Sequence, residues 1–255
     1  MAGKTSVSWL RWLTTILCVE VLMFSIALPQ IKAQPPIEIS LKFPQTRDRG
    51  APDRTVGAGV RSGENSCVTA HKPLAALVPM NNVWSTVSDT PTFFWYIPQT
   101  GTTSAELLIL DDQNNEVYWT NFKLQGIPGV VQLTPPQTVV LKPGKDYTWY
   151  LALSCDPDNS TDTFYIQGLL ERTELTAEQT AKLAQAKDPL NQAKVYADAQ
   201  IWQESLVTLA KLRRDYPNDP KIAQEWKELL NSVQLGELAS EPLADCCSPN
   251  STPNN

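Results

Sequence analysis

The sequence has little of what enzyme active sites are usually built from. Histidine occurs once, as His71, whereas a catalytic zinc site normally recruits two or three nitrogen or thiolate ligands. There is no Gly-x-Ser-x-Gly elbow for a serine nucleophile, no phosphate-cradling glycine loop and no dinucleotide fingerprint. We therefore expect no catalytic residue and no cofactor, and we interpret the chain as a protein that is not an enzyme.

Positive charge is scarce as well. The 255 residues include 21 Lys and Arg against 27 Asp and Glu, which gives a formal net charge of -6. Binding to nucleic acid depends on clustered cations that displace counterions from phosphates. A nucleic-acid partner is therefore not expected. The hydrophobic fraction of 42% is nevertheless enough for a packed core.

What is present begins with an export signal. Basic residues precede an apolar stretch from Trp12 to Leu28, and Ala33 is a small residue at a plausible cleavage point. The alternative is an uncleaved N-terminal helix that anchors the protein, but Glu20 interrupts the stretch, which falls short of the roughly 20 apolar residues that span a bilayer. We expect residues 1–33 to be a signal peptide and the mature protein to be periplasmic or extracellular, without stable membrane insertion.

Cys18 lies in the predicted signal peptide, so export places the other four cysteines in an oxidising compartment, where disulfides form. Four cysteines allow three pairings. We favour a disulfide between Cys67 and Cys155, because each flanks an apolar, strand-like run. Neighbouring cysteines rarely pair with each other, so Cys246 and Cys247 are expected to cross-link chains or to stay free.

The mature chain divides into four segments by composition. Residues 34–66 are rich in proline, glycine and arginine and are predicted to be a disordered linker, and residues 240–255 a disordered tail. Residues 67–175 form short β-branched and aromatic runs separated by turn residues, which predicts an antiparallel immunoglobulin/fibronectin-like β-sandwich. Residues 176–239 are predicted to be a small helical subdomain, so that the fold class is α+β.

Seven strands and three helices are predicted within these two folded segments. The strands are 74–78, 92–97, 105–110, 116–124, 129–133, 147–154 and 163–171. The helices are about 176–187, 189–214 with a break near Gln200, and 219–234. Turns are expected at residues 111–115 and at 143–145, where Asn, Asp, Pro and Gly accumulate.

Aromatic residues occur on both faces of the predicted sheet strands. In the strand 92–97, Phe93 and Trp95 share one face while Phe94 and Tyr96 share the other. Either the C-terminal helices cover the second face, or that face binds a polysaccharide or a partner chain. The candidate binding face comprises Phe94, Tyr96, Tyr118, Tyr150 and Tyr165.

A weak calcium candidate lies in the loop before the last strand. Asp156, Asp158, Ser160 and Asp162 alternate in a manner similar to a calcium loop, and the three aspartates are the candidate ligands. The sixth position holds Thr161 instead of glycine and the twelfth holds Gln167 instead of glutamate, which disfavours an EF-hand. We therefore expect no metal site, with this loop as the weak exception.

The helical segment resembles one tetratricopeptide unit. Small, aromatic and large packing residues and a closing proline fall at the positions of that motif: Ala193, Tyr196, Trp202, Ser205, Leu209, Leu212 and Pro217. Stable solenoids need about three or more such repeats, so a single unit must lean on the sandwich or on a partner.

Read together, several stretches of the mature chain are similar to a largely cyanobacterial family, domain of unknown function 928. They are Arg49–Pro52 with Gly57–Gly59, Leu74–Pro79, Pro91–Phe93, Leu153–Pro157, and Tyr196–Leu212 with Pro217–Pro220. The resemblance covers about 49–243. It implies an exported bacterial protein and brings no catalytic residues to transfer.

The sequence therefore predicts an exported, non-catalytic binding or scaffolding module of the bacterial envelope. Its partner is expected to be a protein or polysaccharide of the envelope. The alternative is a hydrolase that acts on cell-wall or extracellular polymer through acidic residues.

Overall fold

The computed structural model describes residues 40–44, 72–79, 83–125, 127–155 and 163–247. The predicted signal peptide, Cys67, His71 and the calcium candidates Asp156, Asp158 and Asp162 lie outside these ranges. Across the described ranges, no helix is both long and apolar enough to cross a membrane.

The described residues form eight strands, four α-helices and one short 3-10 helix. The strands are β1 (Ala75–Ala76), β2 (Val83–Thr86), β3 (Phe93–Ile97), β4 (Ser104–Leu110), β5 (Glu116–Lys123), β6 (Gly129–Leu133), β7 (Lys145–Ser154) and β8 (Thr163–Arg172). The helices are α1 (Ala177–Gln185), α2 (Pro189–Asp198), α3 (Trp202–Asp215) and α4 (Pro220–Ser232), followed by the 3-10 turn Gly236–Leu238.

The strands form two sheets. One has three strands in the order β1-β3-β6, and the other has five in the order β2-β8-β7-β4-β5. Every pairing is antiparallel except that of β2 with β8, which is parallel. The expected α+β class is confirmed as two largely antiparallel sheets followed by four helices.

A layer of aromatic rings joins the inner faces of the two sheets. Phe93 and Trp95 of the smaller sheet meet Trp149 of the larger one, with ring centroids 6.1 and 6.2 Å apart. Trp95 also stacks on Phe122 at 6.2 Å. Gly168 lies under the Trp149 indole, because a Cβ built at this glycine would come within 2.6 Å of the ring. Burial of these large rings is a principal contribution to the stability of the core.

The helices cover the outer face of the smaller sheet. Phe94 and Tyr96 point away from the inner layer, yet each is only 4% exposed. Arg214 of α3 donates to Gln132 Oε1 of β6 at 2.7 Å, which places α3 over this face. The interpretation in which the helices cover the aromatic second face is therefore confirmed for Phe94 and Tyr96.

Trp202 fastens α3 to the start of the smaller sheet. Its side chain is fully buried, and its Nε1 donates to the Leu77 carbonyl at 2.8 Å. Phe43 packs edge-on against the indole with centroids 5.0 Å apart. A buried indole N–H needs an acceptor, and the main chain of the sheet provides one.

One strand was not predicted, whereas a predicted helix break is present. Strand β2 was not predicted; its Trp84 is buried against Phe93 and its main chain pairs with the edge of β8. The long predicted helix is broken where Gln200 takes a φ of 61°, which ends α2 before α3 begins. The break near Gln200 is therefore confirmed.

The predicted flexible ends are partly ordered. In the linker, Leu41 donates its amide to Glu225 Oε2 at 2.6 Å, and the Phe43 ring is 4% exposed. In the tail, Val130 N donates to the Pro242 carbonyl and Ala244 N donates to the Val130 carbonyl, both at 2.8 Å. Residues 40–44 and 240–247 are thus structured because their apolar side chains and main-chain groups complete the helical layer and the edge of β6.

The cysteine predictions have different outcomes. Cys246 and Cys247 form a disulfide with each other, so the expectation that they cross-link chains or stay free was wrong. The left-handed backbone of Cys247, at φ 79°, accommodates the adjacent pair. Cys155 is disulfide-bonded, and its pairing with Cys67, which lies outside the described residues, stays a prediction.

We expect Trp202→Ala to lower the free energy of unfolding by about 3–5 kcal/mol, because it leaves a large cavity between α3 and the sheet. Trp202→Phe keeps most of the ring volume but leaves the Leu77 carbonyl without its hydrogen-bond donor, which should lower the free energy of unfolding by about 1–3 kcal/mol. Urea unfolding measures both. Tyr216→Ala is the control, since this side chain is 57% exposed and its loss should change stability by less than about 0.5 kcal/mol. Equal stability of Trp202→Ala and wild type would contradict the anchor.

We expect Cys155→Ser to lower the free energy of unfolding by about 2–4 kcal/mol, because a disulfide to Cys67 closes a long loop in the unfolded chain. The double variant Cys246→Ser/Cys247→Ser is the matched control. It opens a bond between neighbours, which constrains the unfolded chain far less. Thermal unfolding of the three proteins separates the two bonds, and a Cys155→Ser midpoint equal to that of wild type would refute the prediction.

Candidate functional site

The outer face of the larger sheet carries an exposed row of aromatic and apolar side chains. Side chains alternate along each strand, and the pairing register brings Trp119, Leu108, Tyr150 and Gln167 side by side across β5, β4, β7 and β8. Tyr165 lies one pair further along β8, directly beside Ala152. Three rings from three strands therefore share one surface.

These side chains line a shallow groove of about 550 Å³, here called the aromatic groove. Its described lining residues are Glu106, Leu108, Trp119, Tyr150, Ala152, Thr163, Tyr165 and Gln167. Trp119 is 49% exposed and Tyr165 is 38% exposed. Exposed aromatic side chains grouped on one face are a recognised sign of a binding surface.

The spacing of the rings follows from sheet geometry. Trp119 and Tyr150 stand two strands apart, which corresponds to about 9–10 Å. Tyr150 and Tyr165 are diagonal neighbours on adjacent strands, about 7–8 Å apart. The small side chain of Ala152 leaves room beside Tyr165. The rings thus form an extended row on the open face of the sheet and do not enclose a deep pocket.

The predicted five-residue binding face is divided by the structure. Tyr150 and Tyr165 lie in the aromatic groove, whereas Phe94 and Tyr96 are buried beneath the helices. Tyr118 pairs with Ile109, whose side chain is buried in the core, so it belongs to the inner side of the sheet. The error for these three residues arose because alternation along a strand does not say which face another element covers.

Trp119 and Leu108 belong to the groove but were not predicted. Trp119 lies in the predicted strand 116–124, but the predicted binding face includes its neighbour Tyr118, whose side chain points to the opposite side of the strand. The pairing of Trp119 with Leu108 in register with Tyr150 is the signal that places it on the outer face. That register depends on contacts between distant strands, which one strand pattern does not reveal.

A second cleft of about 560 Å³ lies where the C-terminal tail crosses between the sheets. Among its lining residues are Lys123, Arg214, Asp245 and the Cys246–Cys247 disulfide. Burial lowers the pKa of the Arg214 guanidinium, and the nearby Asp245 carboxylate opposes this shift. The guanidinium donates to the Gln132 side chain at 2.7 Å, so its described contact serves the packing of α3.

Two buried carboxylates attach the helices to the rest of the fold. Glu204 Oε1 accepts from Thr86 Oγ1 at 2.6 Å and from the amides of Val87 and Ser88 at 3.1 and 3.0 Å. Glu225 forms an ion pair with Lys194 at 2.9 Å and also accepts the Leu41 amide. Both oxygens of Glu225 have partners, whereas Glu204 is bonded through Oε1 and its Oε2 is buried without a hydrogen-bond partner among the described residues. These contacts join helices to other parts of the fold, which gives both carboxylates a structural role.

The acidic hairpin behaves as the turn that was predicted. Asp111 Oδ1 accepts the amides of Gln113 and Asn115 at 2.9 and 2.8 Å, and Asn114 takes a left-handed φ of 63°. The Asn115 side chain is the main cause of the lowered pKa of Asp111. Within the part of the chain that the structure describes, no three His, Cys, Asp or Glu side chains converge as metal ligands.

Residues 56–243 match the family described as Domain of Unknown Function (DUF928). The match spans most of the chain, and the chain therefore belongs to this family. No curated protein matches the chain.

Glu204 is expected to make stability depend on pH. Burial raises the pKa of Glu204 in the folded state, so the folded protein holds the proton at pH values where the unfolded chain has released it. The stability contribution is therefore present below the ordinary glutamate pKa of about 4.3 and is lost as pH rises through the folded-state pKa. Glu204→Gln cannot ionise, so the free energy of unfolding of wild type relative to this variant should fall across that window. A pH-independent difference would refute this assignment.

Proposed function

We propose that this protein is an exported, non-catalytic binding module of the bacterial envelope. The two packed sheets form an immunoglobulin/fibronectin-like β-sandwich in this proposal, and α2 with α3 forms a tetratricopeptide-like hairpin. Support for the module comes from the fold. The helices are occupied in covering the smaller sheet, while the outer face of the larger sheet presents aromatic side chains to solvent.

The single observation that carries the proposal is the exposure of the aromatic groove. Large apolar rings are usually buried, and Trp149 on β7 follows that rule, because its side chain is fully buried between the sheets. Trp119 is instead half exposed beside Tyr150 and Tyr165. A group of exposed aromatic side chains on one surface favours aggregation of the free protein. We therefore infer that a ligand covers these side chains when the protein functions.

The hydrolase alternative finds less support in the groove. Glycoside hydrolysis generally uses two carboxyl groups about 5–9.5 Å apart on either side of the scissile bond. Glu106 is the one acid among the described residues that line the groove. Its neighbours across the strands are Ala152 and Asn121, neither of which can act as the second acid.

We expect Trp119→Ala to abolish most of the binding. Wild type, Trp119→Ala and the control Tyr216→Ala are immobilised and exposed to the same envelope extract, and the bound protein and carbohydrate are quantified. Wild type and Tyr216→Ala should retain the same material, because Tyr216 is the C-cap residue of α3 and is not among the residues that line the groove. Trp119→Ala should retain little of it. Identical retention by all three proteins would exclude the groove as the binding surface.

A further inference from the structure

The chemistry of the aromatic groove identifies a class of ligand more closely than its exposure alone, and the inference rests on the proposed binding function. We propose that the groove binds a neutral polysaccharide, with pyranose rings stacked on Trp119, Tyr150 and Tyr165. Three independent properties of the groove lead to this ligand: its ring geometry, its charge and its size.

The ring geometry suits a chain of flat, repeating units. The three rings are spread over β5, β7 and β8 on one face of the sheet, so a ligand must extend across the strands to contact all of them. The face of an aromatic ring is electron-rich and attracts the weakly positive C–H groups that cover one face of a pyranose. A linear polysaccharide presents such faces at regular intervals, whereas a compact ligand reaches one or two rings.

The charge of the groove disfavours polyanions. Among its described lining residues there is no Lys or Arg, and Glu106 adds a negative charge between Trp119 and Tyr165. Phosphate- or uronate-rich polymers would be repelled there, because charge recognition requires clustered cations. The remaining polar groups, the Gln167 amide and the Thr163 hydroxyl, are of the kind that exchange hydrogen bonds with sugar hydroxyls.

The size of the groove disfavours a folded protein partner. Stable protein interfaces bury about 800 Å² on each side and involve about 20–30 residues. The aromatic groove is built from eight described residues with one flat row of rings. Aromatic side chains with a few uncharged polar groups are instead the usual lining of sites for smaller ligands or single chains.

The test uses the full chain, purified as an exporting host processes it, and a panel of soluble polymers. The panel contains a neutral β-glucan, a neutral mannan, and polygalacturonate as the polyanion. Retardation in gels that contain each polymer, followed by calorimetric titration with oligosaccharides, gives the affinities. We expect binding to at least one neutral polymer and none to polygalacturonate, with little change on adding salt.

Variants connect the binding to the groove. Trp119→Ala and Tyr165→Ala should each weaken binding by roughly tenfold, because each removes one stacking ring. Tyr216→Ala should bind as wild type does. Glu106→Gln removes the negative charge of the described groove lining. A salt dependence of binding that is present in wild type and absent in Glu106→Gln would identify a cationic amino sugar and overturn the neutral assignment. Thermal unfolding midpoints verify that each variant is folded. If Trp119→Ala does not fold, the comparison of Tyr165→Ala with wild type tests the proposal.

The outcomes separate this inference from the proposed function. If the panel does not bind but envelope material is still captured in a Trp119-dependent manner, the groove binds another ligand and the polysaccharide inference is wrong. A Trp119-dependent shift from monomer to dimer, measured by sedimentation, would identify a second copy of the chain as the occupant. Polysaccharide binding that is unchanged in both Trp119→Ala and Tyr165→Ala would place the sugar elsewhere and also overturn the inference.

Discussion

The ring layer formed by Phe93, Trp95, Phe122 and Trp149 is the contact on which the rest of the structure depends. Rings of this size need space between the sheets, and Gly168 provides it by leaving the surface under the Trp149 indole without a side chain. The layer uses one face of β3, β5 and β7, and the opposite faces of these strands are left for other contacts. The outer face of the smaller sheet is covered by the helices, whereas the outer face of the larger sheet is exposed to solvent.

On the smaller sheet, the outer face is apolar and is covered by the helices. Trp202 and Arg214 bind to main-chain and side-chain acceptors of that sheet, and Glu204 caps the segment that follows β2. On the larger sheet, the outer face remains in contact with solvent and carries Trp119 and Tyr165. The difference between the two outer faces is what separates aromatic residues that stabilise the protein from aromatic residues that are available to a ligand.

Much of the fold could be predicted from local sequence. Seven strands and the helical segment, including its break at Gln200, are visible because alternation, capping residues and turn residues act over a few positions. Strand β2 was missed because it is four residues long and pairs in parallel with a strand about 85 positions later. The candidate site was predicted in part. Tyr150 and Tyr165 were included, but the distinction between Tyr118 and Trp119 depends on the register between β4 and β5, and the burial of Phe94 and Tyr96 depends on where the helices pack.

The C-terminal segment that follows the helices has a further consequence. Pro242 and Ala244 exchange main-chain hydrogen bonds with Val130, so the chain returns to the smaller sheet and occupies the open side of β6. An unpaired strand of this kind is a template on which other chains can add. The segments on both sides of the helices therefore contact the sheets, and the helical layer is attached to the β-structure at both of its ends. A protein that stopped after α4 would lose the buried side chains of Leu238 and Ala244 from its core. It would also expose the hydrogen-bonding edge of β6, and we expect it to self-associate through that edge.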